Sequence, residues 1–349
     1  MMKAAVVYGK NEIRIQSVPV PEISEGEVLV KVRASGICAT DIKTLLGQGL
    51  PKNLPAILGH EVAGSIERIG PGVRGLSVGA RVAVYPIAVC GECFYCKQER
   101  HNLCLSEFGL GHGIDGGFAQ FVRIPREIVK IGGVVEIPEK LSYEQAAVAE
   151  PLSCCLAAAR AGKLGEGDTV LVVGAGPLGL LHLKTGNWLK AKVIMADLRR
   201  DRLEMAAGMG AAHCINAGEE DVVEEVRRFT GGLGADLVVA ALGLPEIMAQ
   251  YLPAVRNGGT FNIFGGPPAG RPVPVDFRWI HYAEVVLTGT FASTPEDFRL
   301  ALELIGSGEV KVDDLISHRF ALENMLEAVD LAQKQEIIKG VIMIPEEDG

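Results

Sequence analysis

The sequence predicts an α/β protein of two domains, a β-rich domain followed by a doubly wound parallel sheet, on three observations. The first 150 residues are short apolar segments cut by glycine and proline, the texture of a small domain with many turns. Beyond Pro151 the segments become fully apolar strands alternating with helical stretches, the pattern of a parallel sheet covered on both faces. One strand there runs directly into a glycine-rich turn, Gly174-Ala175-Gly176-Pro177-Leu178-Gly179. At 349 residues the chain has room for two cores of roughly 150 residues each.

In order, strands are expected at residues 27–32, 62–66, 81–85 and 118–122, each rich in Val, Ile and Ala and bounded by turn formers. Residues 153–161 are Ala-rich and read as a helix. The second domain then offers strands at 170–173, 193–196, 213–215, 237–240, 260–264 and 285–290, with helices at 202–209 and 221–228 between them. Its last strand would be an exposed edge in a monomer, which favours pairing between two copies. Helices at 295–305 and 322–334 and a strand at 340–344 complete the pattern.

Composition excludes several classes. Hydrophobic residues make up 48% and charged residues 22%, which is incompatible with a mainly disordered chain. A net charge of -9 repels phosphate backbones and anionic lipid, so neither nucleic acid nor membrane is an expected partner. The first ten residues hold too short an apolar run for a signal segment, and no run approaches the roughly 18 apolar residues of a membrane span. Eight cysteines without an export signal point to a reducing, cytoplasmic setting where thiolates serve metals.

Cys90, Cys93 and Cys96 recur every third residue and Cys104 follows after seven more, in a loop with little apolar content. That spacing lets four thiolates converge on one tetrahedral, structural zinc. The alternative, disulfides, fits poorly with a reducing compartment. Cys154 and Cys155 on the Ala-rich helix and Cys214 on an apolar strand read as core residues. His112, among glycines, is either an exposed loop histidine or a cleft residue.

The glycine turn carries the dinucleotide fingerprint. Gly174 permits the tight turn, Gly176 lets backbone approach a pyrophosphate, Gly179 lets helix pack on strand, and Pro177 and Leu178 open the helix whose N-terminus faces the phosphates. Asp197 closes the next strand, where a carboxylate accepts bonds from the adenosine ribose and repels a 2′-phosphate, favouring NAD. Arg199 and Arg200 pull the other way, toward NADP, and Arg202 completes the candidate cofactor set.

Cys38, His60 and Glu61 offer one soft and two harder ligands, the make-up of a catalytic zinc that keeps a fourth position open. Thr40 and Asp41 follow Cys38 closely. Taken singly, each has an ordinary reading as a core or surface residue.

Together, Cys38-Ala39-Thr40-Asp41, Gly59-His60-Glu61, the four-cysteine loop, Glu150-Pro151-Leu152 and the glycine fingerprint, in this order over essentially the whole chain, resemble the zinc-dependent medium-chain dehydrogenases. Glu150, where the liver-type alcohol dehydrogenases carry a cysteine, resembles the sorbitol (polyol) dehydrogenase branch. The resemblance implies a GroES-like catalytic domain at 1–152 holding both zinc sites, a Rossmann dinucleotide-binding domain at 153–290, and a segment at 291–349 returning to the first domain. It implies a catalytic zinc held by Cys38, His60 and one glutamate, with Glu61 the direct ligand, Glu150 bonded to the metal's water, and exchange between the two. It further implies that Asp41 orients His60, that Thr40 relays the proton, and that a dimer or tetramer oxidises a polyol or secondary alcohol with NAD.

Two departures bear on the details. Ile42, Lys43 and Thr44 stand where that family commonly has a relay histidine. Ala292 and Ser293 follow Phe291 where sorbitol dehydrogenases carry a basic and an aromatic residue, although Phe121 still matches a pocket aromatic. L-threonine or a sugar-alcohol phosphate is therefore an alternative substrate; a zinc-stapled binding protein and a zinc-free quinone-type reductase are the alternative functions.

Overall fold

The computed structural model describes residues 1–51 and 53–345. The chain forms two compact units, one built from 1–153 together with 293 onward, the other from 154–292.

The first unit is organised on a seven-stranded sheet in the order Val134–Glu136, Arg81–Val84, Glu61–Ile69, Val28–Gly36, Lys339–Met343, Ile316–Ala321, with Phe121–Ile124 also paired to Val28–Gly36. The central strand Val28–Gly36 is almost wholly buried, with Val28, Leu29, Val30, Val32 and Ala34 as its apolar residues and Arg33 and Ser35 buried among them. Val30, Val32, Val62, Ile66, Val82 and Phe118 fill the core beneath it. Register places Gly36 opposite Glu61 on one side and opposite Val341 on the other. The end of the central strand, the start of Glu61–Ile69 and the start of the C-terminal strand therefore meet at one point.

The second unit is a six-stranded, all-parallel sheet in the order His213–Asn216, Lys192–Asp197, Thr169–Val173, Ala235–Ala240, Val255–Ile263, Val286–Gly289. Strand order reverses at Thr169–Val173, and in such sheets the ligand crevice lies at the carboxyl ends of the strands flanking the reversal. Every residue of that strand is buried. The helix Pro177–Trp188 follows it, with proline at its first position, where no amide bond is lost.

Several elements differ from expectation. The helix expected at 153–161 begins at Ala149, so Glu150 lies in its first turn. The strand expected at 118–122 covers Phe121–Ile124; Phe118 instead accepts the amide of Ala5, tying the loop to the N-terminal strand. That strand, Met2–Gly9, forms a hairpin with Glu12–Val18 that periodicity alone did not reveal. The stretch at 322–334 is a 3-10 turn, Leu322–Asn324, followed by the helix Met325–Gln333. The last strand starts at Lys339, which brings a charge into an otherwise apolar segment.

Candidate active site and structural metal centre

Cys38 caps the short helix Ala39–Leu45 that follows the central strand. Its backbone amide donates to Asp41 Oδ2 at 2.9 Å, and the amide of Thr40 donates to Cys38 Sγ at 3.5 Å. The other oxygen of Asp41 accepts the amide of Gly59 at 3.3 Å and lies 3.6 Å from His60 Nδ1. Gly59 has φ +95°, and a Cβ there would come within 2.9 Å of the Phe118 ring, so only glycine turns the chain into His60.

Cys38, His60 and Glu61 thereby present donor atoms that all lie within 4.8 Å of one another. A thiolate, an imidazole and a carboxylate so placed fit zinc with one position left open. Burial alone lowers the pKa of His60, but the charges of Asp41 and Cys38 outweigh it and hold the value well above 6.5. A metal must displace that proton to bind.

Glu150 is half-buried and is not a member of this trio. Thr40 is exposed on the first turn of its helix. The residue that sequence reasoning missed is Lys339. Its ammonium group is ion-paired with Glu61 and donates to the carbonyl of Ile37 at 3.1 Å. Burial lowers the Lys339 pKa, yet the negative charges of Glu61, Cys38 and Glu150 reverse this and raise it. The available signal was a lone lysine in the apolar run 337–344.

In the cysteine lobe, Cys93 Sγ is 3.5 Å from Cys96 Sγ, Cys104 Sγ is 3.5 Å from Cys90 Sγ, and Cys90 and Cys96 are 3.9 Å apart. These separations are far longer than the roughly 2.05 Å of a disulfide and match the edges of a tetrahedron around zinc at about 2.3 Å. Amides of Cys90, Cys93 and Ser106 point at the sulfurs and favour thiolates. Backbone bonds from Leu105 and Cys96 pull the Cys93 thiol down to about 6, whereas burial pushes Cys96 up to about 12. None of the eight cysteines forms a disulfide; Cys155 is buried, as expected, but Cys154 and Cys214 are only half-buried.

In the nucleotide unit, the helix Pro177–Trp188 begins at Gly176 without a side-chain cap. A Cβ on Gly176 would meet nothing within 4 Å, while one on Gly179 would strike the Gly174 carbonyl at 1.8 Å. The first glycine faces open space and the second permits close packing, which fits a pyrophosphate at a helix N-terminus. Leu178 lies in the helix's first turn. Asp197 Oδ2 accepts the amide of Ala175 at 2.6 Å and Oδ1 accepts that of Arg199 at 2.9 Å, so this carboxylate also braces the loop. Arg199 is paired with Asp201, Arg200 bonds both oxygens of Glu219 at 2.7 Å, and Arg202 is buried.

His112 is exposed and lines a cavity of about 650 Å³ in the first unit together with Phe121, Glu107 and Arg123. Phe291 is exposed, and Ser293 is buried with its hydroxyl 2.7 Å from that of Ser153. No helix among the described residues is long and apolar enough to cross a membrane.

Residues 24–138 match the alcohol dehydrogenase GroES-like domain and residues 177–307 the zinc-binding dehydrogenase family. The sorbitol dehydrogenase of Bacillus subtilis is 36% identical over 348 residues, covering 98% of this chain and 97% of that one. The D-arabitol-phosphate dehydrogenase of Enterococcus avium is 34% identical, covering 96% and 94%. A solved zinc-binding dehydrogenase from Sinorhizobium meliloti 1021, bound to NADP, is 31% identical and superposes with a TM-score of 0.92 over 99% of each chain. The two clusters of candidate metal ligands, the glycine loop and this likeness over the full length give one conclusion: the chain belongs to the zinc-binding alcohol dehydrogenase family, with a GroES-like unit and a Rossmann unit.

Proposed function

We propose that the protein is a zinc-dependent oxidoreductase that transfers hydride between the CH–OH group of a polyol or secondary alcohol and NAD. The observation that carries this reading is the convergence of Cys38, His60 and Glu61, in a chain whose other unit presents an uncapped, glycine-lined helix N-terminus. When bound, zinc acidifies an alcohol sharing its coordination sphere and NAD accepts hydride from the carbinol carbon.

The chain's own groups supply the rest. Cys38 and Glu61 balance the charge of the divalent ion, and Asp41 orients the His60 ring. Glu150 is the second carboxylate, in exchange with Glu61. Thr40, with its exposed hydroxyl, takes the proton released by the alcohol and passes it toward the cofactor ribose. Asp197 receives the adenosine ribose, and the commitment of Arg199 and Arg200 to Asp201 and Glu219 supports NAD over NADP. In the cysteine lobe, Cys90, Cys93, Cys96 and Cys104 hold a second zinc that staples the loop.

The edge strand Val286–Gly289 exposes Val286 and Leu287, and the helix before it exposes Phe277 (78%) and Tyr282 (70%). These support a cytoplasmic homo-oligomer, a dimer or tetramer, joined along this edge.

The test is a panel of polyols, secondary alcohols, inositols, sugar-alcohol phosphates and threonine, followed by NADH absorbance with and without a chelator. Chelator-sensitive reduction of NAD by at least one polyol or secondary alcohol is expected. Turnover that persists after complete removal of zinc would sink the proposal.

A further inference from the structure

Lys339 and Glu61 form a buried ion pair 278 residues apart in sequence, with the lysine 4% and the glutamate 0% exposed. Burying two charges costs several kcal/mol per ion before their attraction is counted, and an apolar pair of the same volume commonly serves a core as well or better. The sheet itself has no need of the pair, since the rest of 337–344 is apolar and both strands have backbone partners. Its position is informative instead. The carbonyl that Lys339 also holds belongs to Ile37, the residue before Cys38. The carboxylate that it holds belongs to the residue after His60. Gly36 is the space between: a Cβ there would lie 1.8 Å from Glu61 Oε2, so the glycine exists to admit the carboxylate. One ammonium group thus grips both chain segments that carry the metal-ligand trio.

The charge count follows. Cys38 thiolate and Glu61 carboxylate sum to -2 and neutralise a divalent ion; Lys339 adds one positive charge in direct contact with a ligand, while the carboxylates of Asp41 and Glu150 stand around the trio. We propose that Lys339 is a positioning residue of the metal centre, pairing with both oxygens of the Glu61 carboxylate and adding one buried positive charge, so that the ion is held less tightly but acts as a stronger Lewis acid. This rests on the reading of Cys38, His60 and Glu61 as metal ligands. A merely structural lysine would behave in the opposite way: its loss would disorder Glu61 and weaken the metal. A charge-setting lysine, when removed, leaves Glu61 unpaired in the metal-free protein and entirely available to the ion, so metal binding tightens.

The experiment is chelator competition on the full-length protein loaded with zinc, comparing wild type with Lys339→Met, Lys339→Arg and Cys38→Ser. The Cys38→Ser variant identifies which of the two zinc ions belongs to the trio, and the cysteine-lobe zinc is the internal standard. At an effective dielectric near 20, one charge within about 10 Å of a divalent ion is worth on the order of a hundredfold or more in affinity. Lys339→Met is expected to hold the trio's zinc tighter by roughly that factor. Its metal-free form should melt lower than wild type and gain more on adding zinc, and Lys339→Arg should behave as wild type. Unchanged or weaker zinc binding in Lys339→Met overturns the proposal, as does an Lys339→Arg protein that matches Lys339→Met. If Lys339→Met fails to fold, the same substitution in a Glu61→Gln background creates an uncharged pair and reads the charge alone; it must still tighten zinc relative to Glu61→Gln. A wild-type protein that holds one zinc, unaffected by Cys38→Ser, would instead refute the ligand assignment.

Discussion

Asp41 Oδ1 lies 3.6 Å from His60 Nδ1 while Asp41 Oδ2 accepts the amide of Cys38 at 2.9 Å, so one carboxylate joins the segment carrying the thiol to the segment carrying the imidazole. Asp41 is 3% exposed and also caps its helix reciprocally with Cys38. Replacing it with alanine strands the amides of Cys38 and Gly59, a loss of about 2 kcal/mol by the usual cost of an unpaired buried group. It also frees the His60 ring, which should weaken zinc at the trio by about 10–100-fold. Thermal melting and zinc content after dialysis check the two effects separately; the cysteine-lobe zinc should remain.

The raised pKa of His60 gives a signed pH dependence. In the metal-free protein the protonated ring is stabilised by Asp41 and Cys38, so this contribution to stability is present below about pH 6.5 and fades as pH rises through the higher folded value. Zinc requires the neutral ring, so its affinity at the trio should climb with pH throughout the same window, while an unperturbed histidine would stop competing just above about 6.5. Asp41→Asn removes part of the cause and should move the window down. Chelator competition between about pH 6 and about pH 9 measures this; an affinity independent of pH across that range would contradict it.

Cofactor preference should be adjustable at Glu219. Its pair with Arg200 is exposed and worth about 0–1 kcal/mol, so Glu219→Gln should leave the melting temperature near wild type. It also releases a guanidinium three residues from Asp197. Combined with Asp201→Asn, which frees Arg199, it should raise the ratio of kcat/KM for NADP to that for NAD about tenfold, or about 1.4 kcal/mol. Asp197→Ser is a less clean probe, because Asp197 also bonds the amide of Ala175 and its loss loosens the glycine loop. Steady-state kinetics with both cofactors decides; a ratio unchanged in the double variant would remove the arginines from the question.

Features legible in the amino-acid sequence share one property: their parts lie close together in the chain. The cysteine loop spans fifteen residues, and its spacing alone puts four sulfurs within bonding distance of one ion. The glycine fingerprint sits in a single strand-turn-helix, where each glycine answers a local steric demand. Alternating and continuous apolar runs announced the two sheets for the same reason. Boundaries shifted where a long-range partner intervened, as when Phe118 bonded Ala5 in place of extending its strand. Of the eight cysteines, burial separated Cys155 from Cys154 only through the face of the helix each occupies.

Local spacing thus predicted the cysteine loop and the nucleotide loop, whereas Cys38, His60 and Glu61 joined into one ligand set through the family resemblance. The environment of Glu61 followed from neither: strand register sets Gly36 between Glu61 and Val341, and the C-terminal strand delivers Lys339 to a carboxylate 278 residues away. Periodicity along a chain encodes which face of a strand is buried, but the identity of the neighbour across the sheet is settled only when distant strands pair, and with it the charge that the metal site feels.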